Sequence, residues 1–201
     1  MIRSVVFDMG RVLIGFDPPA YLAVVSSDAA DRALLQRAVF SSVEWAQMDL
    51  GVKTDEEALA AMCTHLPARL HTAARRLVME WDQPLVPVPG MAALIAELKA
   101  RGCGIYLLSN ASLRQKEYWP RIPGSALFDG RVVSAECGLV KPQPEIYRLL
   151  LASCRLRAEE CVFVDDMPLN AAAACTVGMQ GFVFHGDTAE LRAYLAAQGV
   201  L

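Results

Sequence analysis

The six cysteines of this 201-residue chain form no C-x-x-C pair, and the three histidines stand at no ligand spacing with them. That excludes a structural zinc site and leaves Cys63, Cys103, Cys137, Cys154, Cys161 and Cys175 as reduced packing residues, small and apolar. Lysine and arginine gather into no basic run, and 19 basic against 22 acidic side chains leave a net charge of −3, so nucleic acid is not an expected partner. No apolar stretch approaches the length of a membrane span, so no membrane partner is expected. The run ahead of Asp8 is too short for a secretory signal, and the expected location is the cytoplasm. Repeats, low-complexity tracts and segments polar enough for disorder are also missing. What is there is a chain 54% hydrophobic and 20% charged, long enough for one large domain or one domain carrying an insertion.

Short apolar runs alternate with helical spacing through most of the sequence. Ser4 to Phe7, Gly104 to Leu108, Val132 to Ser134, Cys161 to Val164 and Gly181 to Phe184 read as buried strands. Met91 to Arg101, Pro144 to Ser153 and Asn170 to Val177 read as helices, the first and last stopped by Gly102 and Gly178. Strands and helices in this alternation predict an α/β fold, a Rossmann-like parallel sheet with helices on both faces. In such a sheet, ligands bind beyond the carboxyl ends of the strands.

Residues 18–86 break the pattern. No strand signal occurs there, and alanine, leucine and charged residues recur at helical spacing. The block opens at Pro18-Pro19, carries a capping-box start at Thr54-Asp55-Glu56-Glu57, and closes at Pro84, Pro87 and Pro89. The expected organisation is a catalytic core of residues 1–17 and 87–201 with a helical lid of residues 18–86 inserted after the first strand.

Polar residues follow the strands at the places the fold would bring together: Asp8, then Ser109-Asn110, then Lys141, then Asp165-Asp166. A strand-end carboxylate such as Asp8 can attack phosphorus and split one displacement into two. Ser109 and Asn110 can hold phosphoryl oxygens, and Lys141 offers them a point charge. Asp165 and Asp166 are hard oxygen ligands of the kind Mg²⁺ takes. Three carboxylates, one ammonium and a phosphate dianion leave such a site at about −4. Like charges about 4 Å apart repel by about 4 kcal/mol at an effective dielectric near 20. A divalent cation is therefore expected, with the carbonyl of Gly10 as one more ligand.

The motifs Phe7-Asp8-Met9-Gly10, Leu107-Leu108-Ser109-Asn110, Lys141-Pro142 and Val162-Phe163-Val164-Asp165-Asp166 stand in order, and together they resemble the haloacid dehalogenase superfamily across essentially the whole chain. The stretch from Glu44-Trp45 through Asp49-Leu50-Gly51 to Glu57 is similar to the helical cap of the subgroup that includes bacterial glucose-1-phosphate phosphatases and the phosphatase domain of soluble epoxide hydrolase. The resemblance implies that Asp8 is the nucleophile and that Ser109 and Asn110 bind phosphate. It also implies that Lys141 stabilises the transferring group and that Asp166 ligates Mg²⁺, with Asp165 beside it.

The departure is Gly10, where the family usually carries an aspartate that protonates the leaving oxygen and then activates water. Losing such a group matters least for good leaving groups, which makes a small-molecule phosphate ester of the sugar 1-phosphate kind the expected substrate. Arg11 is a second departure and adds a cation near the substrate. Asp17 reads as a turn residue beside Pro18, with a stand-in acid as the alternative. Two other readings stay open: a metal-free 2-haloacid dehalogenase, and a phosphate-binding module with little turnover.

Overall fold

A computed structural model describes residues 1–201. The chain begins in β1 (Ser4–Phe7) and then runs through α1 (Pro18–Val25) and α2 (Ala29–Leu35), which continues into a π-helical turn at Gln36–Phe40. Next come α3 (Val43–Asp49), α4 (Asp55–Thr64) and α5 (His71–Met79). It returns through α6 (Met91–Ala100), β2 (Gly104–Ser109), α7 (Gln115–Tyr118), β3 (Gly130–Val133), α8 (Ser134–Cys137) and α9 (Pro144–Ser153). The last elements are β4 (Cys161–Asp165), α10 (Pro168–Thr176), β5 (Gln180–Val183) and α11 (Thr188–Ala197).

The five strands form one parallel sheet in the order β3-β2-β1-β4-β5. β1 lies at its centre, buried throughout, as a continuous apolar run must be when helices cover both faces. Alternation along the strand sends Val5 and Phe7 to one face, among Leu94, Ile95, Leu98, Leu191 and Leu195. Val6 goes to the other, among Ile146, Tyr147, Leu150, Phe163 and Ala174. Phe7 pairs with Leu107 and with Val164, so the carboxyl ends of β1, β2 and β4 lie side by side. The residues that follow these strands are thereby gathered at one edge.

Helices α1 to α5 hold a separate apolar cluster, with Leu22, Leu35, Val39, Met48, Met62 and Leu77 among its buried members. The start signal within it forms as a capping box: Glu57 N donates to Thr54 Oγ1 at 3.1 Å, and Thr54 N to the Glu57 carboxylate at 2.9 Å. The chain crosses into this helical unit and back along two segments bonded to each other. Gly15 N donates to Val86 O at 2.7 Å and Val88 N to Leu13 O at 2.9 Å, while Ile14 bridges Pro87 in antiparallel fashion.

Three further ties fix the helical unit on the sheet. Ser112 Oγ, in the loop after β2, donates to Asp55 Oδ1 at 2.8 Å. Asp82, fully buried after α5, is paired with Arg114 at 3.0 Å and with Arg121. Gly51 lies so close to α8 that an added Cβ would stand 2.2 Å from the Ala135 carbonyl oxygen, and its φ of +70° already belongs to the left-handed region.

Element boundaries depart from the sequence-based ones in a few places. β2 and β4 each extend one residue further, to Ser109 and Asp165, while β3 runs from Gly130 and gives Ser134 to α8. α10 starts at Pro168, where the missing N–H of proline costs a helix nothing. α11 has no counterpart in the sequence reading. It is capped by Asp187, which accepts from Ala189 N at 2.7 Å, but its alanine-rich register carries little apolar contrast.

Candidate active site

Asp8 sits one residue past the central strand, its backbone N–H still bonded to Val164 O at 2.8 Å, so the sheet sets the position of its carboxylate. Lys141 comes from the loop between α8 and α9. Its Nζ lies 2.7 Å from Asp8 Oδ1 and 2.7 Å from Asp165 Oδ2, bridging two carboxylates with almost no exposure of its own. Asn110 holds that loop in place: Lys141 N donates to Asn110 Oδ1 at 2.8 Å, and Asn110 Nδ2 donates to Lys141 O at 3.0 Å. Ser134, fully buried, steadies the loop behind it by accepting from Ala111 N at 3.0 Å.

Burial is the main force on these charges. It pushes the Asp8 carboxyl up, Lys141 pulls it back and Asp165 adds to the rise, leaving it at about 6. Burial drags the Lys141 ammonium down, yet Asp8 and Asp165 outweigh that and hold it above its ordinary value. Asp166 is raised by burial and then by Asp165, against the pull of Arg11, whose Nη1 stands 3.5 Å from Asp166 Oδ2. Arg11 has φ +58° and also donates from Nε to Phe16 O at 2.9 Å, which turns it toward the site.

Oxygen atoms of Asp8, Asp165 and Asp166 lie within 4.8 Å of one another, an all-carboxylate donor set that fits Mg²⁺ and is ill suited to zinc or copper. The three are not equivalent. Asp165 is fully buried and spends both oxygens on protein donors: Lys141 Nζ, Met167 N at 2.8 Å, and Asn170 Nδ2 at 3.0 and 3.1 Å. Asp166 meets only the distant Arg11, and Asp8 keeps one oxygen clear of Lys141. Asp8 and Asp166 therefore have ligand capacity to offer, while Asp165 holds Lys141 and Asn170.

These groups form the floor of a cavity of about 300 Å³ under the helical unit. Gly10, Arg11, Asn110 and Asn170 border it as well. Its walls are aromatic: Phe16 packs against Trp81 with ring centroids 5.2 Å apart and against Trp45 at 5.9 Å, and Tyr118 closes on Trp81 at 5.3 Å. Trp119, by contrast, packs on Phe128.

Of the residues singled out in the sequence, Ser109 closes β2, 1% exposed and with no hydrogen bond from its side chain. Asn110 borders the cavity but commits both ends of its amide to the Lys141 backbone. Asp17 caps α1 by accepting from Ala20 N at 3.2 Å, the turn role its neighbouring proline implies.

The sequence reading placed Asp49 and Asp55 in the helical cap without a role in the site and left out Ser112; all three border the cavity. Asp49 is the last residue of α3, and its carboxylate has no hydrogen-bond or ion-pair partner in the protein. Burial pushes it up to about 7, with Asp55 and Asp8 adding to the rise and Lys141 opposing it. Asp55 is raised mainly by burial and partly restored by the Ser112 hydroxyl. One signal in the sequence points to Asp49: a carboxylate closing a helix stands at the negative end of the helix dipole, where acids are disfavoured.

Comparison with known proteins bears on the whole arrangement. The family model described as a haloacid dehalogenase-like hydrolase matches residues 2–178. The sesquiterpene phosphatase astK of Aspergillus oryzae is 30% identical over 191 residues, covering 89% of this chain and 88% of that protein. The drimenol cyclase drtB of Aspergillus calidoustus is 27% identical over 192 residues, which is 92% of this chain but only 34% of that longer protein. Among solved structures, a haloacid dehalogenase family enzyme of Bacteroides thetaiotaomicron, in complex with magnesium and inorganic phosphate, superposes with a TM-score of 0.73. That match is at 18% identity and covers 95% of this chain and 99% of the other.

Proposed function

The chain belongs to the haloacid dehalogenase-like hydrolases and is an enzyme, and on that premise we propose that it is a Mg²⁺-dependent phosphatase that cleaves a small phosphate ester through an aspartyl phosphate on Asp8. The observation that carries this reading is the Lys141 ammonium, held 2.7 Å from both Asp8 and Asp165 at the floor of a cavity that Asp166 also borders.

Asp8 attacks the phosphorus, the bond to the leaving oxygen breaks, and the phosphoryl group passes to the Asp8 carboxylate. Water then attacks the same phosphorus and releases inorganic phosphate and free Asp8. Lys141 is charged throughout and faces the oxygens on which negative charge gathers, pre-oriented by Asp165 and by the Asn110 clamp. Asp8 and Asp166, with the Gly10 carbonyl, would hold Mg²⁺, with Asp165 behind them. When bound, the metal neutralises phosphoryl charge that a site rich in carboxylates otherwise repels. The helical unit covers the floor and selects the leaving group through Phe16, Trp45 and Trp81.

A cavity of about 300 Å³ suits a small metabolite. Aromatic faces next to the carboxylates of Asp49 and Asp55 are the surfaces a sugar ring uses, apolar C–H faces on one side and hydroxyls on the other, which favours the sugar 1-phosphate class. A metal-free dehalogenase has no use for the carboxylate cluster of Asp8, Asp165 and Asp166. The deciding experiment is a phosphate-release screen over sugar phosphates, acyl phosphates, isoprenyl monophosphates and nucleotides, with and without Mg²⁺, on wild type and Asp8→Asn. Mg²⁺-dependent release by wild type alone is expected. Release by Asp8→Asn, or chelator-insensitive halide release from a 2-haloacid, would overturn the reading.

A further inference from the structure

We propose that Asp49, carried by the helical unit, is the general acid and base of the reaction, doing the work for which Gly10 has no side chain. The inference rests on the phosphatase reading of the same site. Gly10 leaves the floor of the cavity with no group to protonate a leaving oxygen: Lys141 is committed to two carboxylates, Asp165 to three protein donors, and Asp8 attacks. Asp49 borders the same cavity from α3, and its carboxylate is free of any protein partner. Asp49 is half-buried, so its unpartnered carboxylate is open to whatever enters the cavity.

Two contacts that follow Asp49 in the chain fix its position. Two residues on, Gly51 touches the Ala135 backbone of α8 so closely that no side chain fits between them. Six residues on, Asp55 is bonded to Ser112 of the loop after β2. The end of α3 is thus docked onto the sheet edge that carries the reacting groups. Asp55 from α4, Asp8 and Lys141 from the floor, and Tyr118 from α7 are the ionisable groups that face it. Burial among two carboxylates and one ammonium keeps Asp49 protonated up to about pH 7, so it enters the cycle as an acid.

The protons balance over two steps. As Asp8 bonds to phosphorus and the ester P–O bond breaks, the Asp49 carboxylic acid gives its proton to the leaving oxygen and becomes a carboxylate. When water attacks the aspartyl phosphate, Asp49 takes the water proton, the bond from phosphorus to Asp8 breaks, and inorganic phosphate leaves with Asp49 protonated again.

The test uses esters graded by leaving group, with an alkyl phosphate and p-nitrophenyl phosphate as the extremes, on wild type, Asp49→Asn, Asp49→Glu and the double variant Asp49→Asn/Gly10→Asp. Asp49→Asn is expected to lose roughly 10²- to 10⁴-fold in kcat/KM on the alkyl ester and no more than a few-fold on the nitrophenyl ester. With the nitrophenyl ester it should release one equivalent of nitrophenol in a burst and then turn over slowly, because hydrolysis of the aspartyl phosphate lacks its base. Gly10→Asp should restore the alkyl ester in the Asp49→Asn background; the Gly10 Cβ direction is open, its nearest neighbour being Phe16 Cβ at 3.7 Å. Asp49→Glu should recover part of the alkyl activity. An equal loss on both esters, or no loss on either, overturns the role of Asp49. Absence of phosphate release by wild type on every ester overturns the phosphatase reading instead. Retained nitrophenyl kcat/KM shows that the variant is folded.

Discussion

Replacing Asp49 with asparagine should make the protein more stable at neutral and alkaline pH, and the gain should fade as the solution is acidified. In the folded chain burial raises this carboxyl from its ordinary 3.8 to about 7, so the folded state holds the proton more tightly than the unfolded state does. Stability from this group is therefore complete below about pH 3.8 and is lost as pH climbs through about 7. The gap of about 3 between the two values corresponds to about 4 kcal/mol at alkaline pH. Water drawn into the cavity screens the charge, which makes this figure a ceiling. Asparagine has the same shape and no titration. Between pH 5 and pH 8, the advantage of the variant should widen by up to about 3 kcal/mol, since most of the titration falls in that window. For a chain of this size that is a differential shift in melting temperature of roughly 5 to 11 °C. Thermal and urea melts of both proteins at pH 5, 6, 7 and 8, in metal-free buffer, measure it. Parallel stability profiles would refute the reasoning, because the charge would then cost the fold nothing.

Lys141→Met leaves Asp8 and Asp165 buried against each other and should destabilise the metal-free protein by about 3–5 kcal/mol in urea unfolding; added Mg²⁺ should return part of that, and an unchanged midpoint would show that the ammonium is not needed for the charge balance. Gly51→Ala forces a side chain to within 2.2 Å of Ala135 O and should cost about 1–3 kcal/mol while raising KM, since the end of α3 is pushed off the sheet; wild-type values in calorimetry and kinetics would refute the docking argument. Asn110→Ala removes both clamps on the Lys141 backbone and should lower kcat with little change in KM, and a pure KM effect would speak for direct binding of substrate by the amide instead.

Much of this was legible in the sequence, for a physical reason. Buried parallel strands are short apolar runs with abrupt polar ends, so Phe7-Asp8, Leu108-Ser109-Asn110 and Val164-Asp165-Asp166 announce both the sheet and the edge at which function gathers. The capping box at Thr54 was readable because its two bonds join residues three apart. Long-range division of labour was not. Nothing local separates Asn110 as a clamp from Asn110 as a phosphate ligand, because that difference depends on where residue 141 arrives. Asp49 was given no role for a similar reason: its meaning comes from the Gly51–Ala135 contact and from the absence of a partner, and neither leaves a pattern in the chain. α11 went unseen because alanine blurs the boundary between its buried and exposed faces.

The pair of crossing segments has a structural consequence. Because Leu13–Gly15 and Val86–Val88 are bonded to each other, the two crossings form a single strap between the sheet and the helices it carries. Phe16 follows one side of that strap directly, Trp81 lies five residues before the other, and the two are packed on one another, so the aromatic wall is built from the very segments that join the two layers. A substitution in the strap therefore reaches the shape of the cavity as directly as one in its lining.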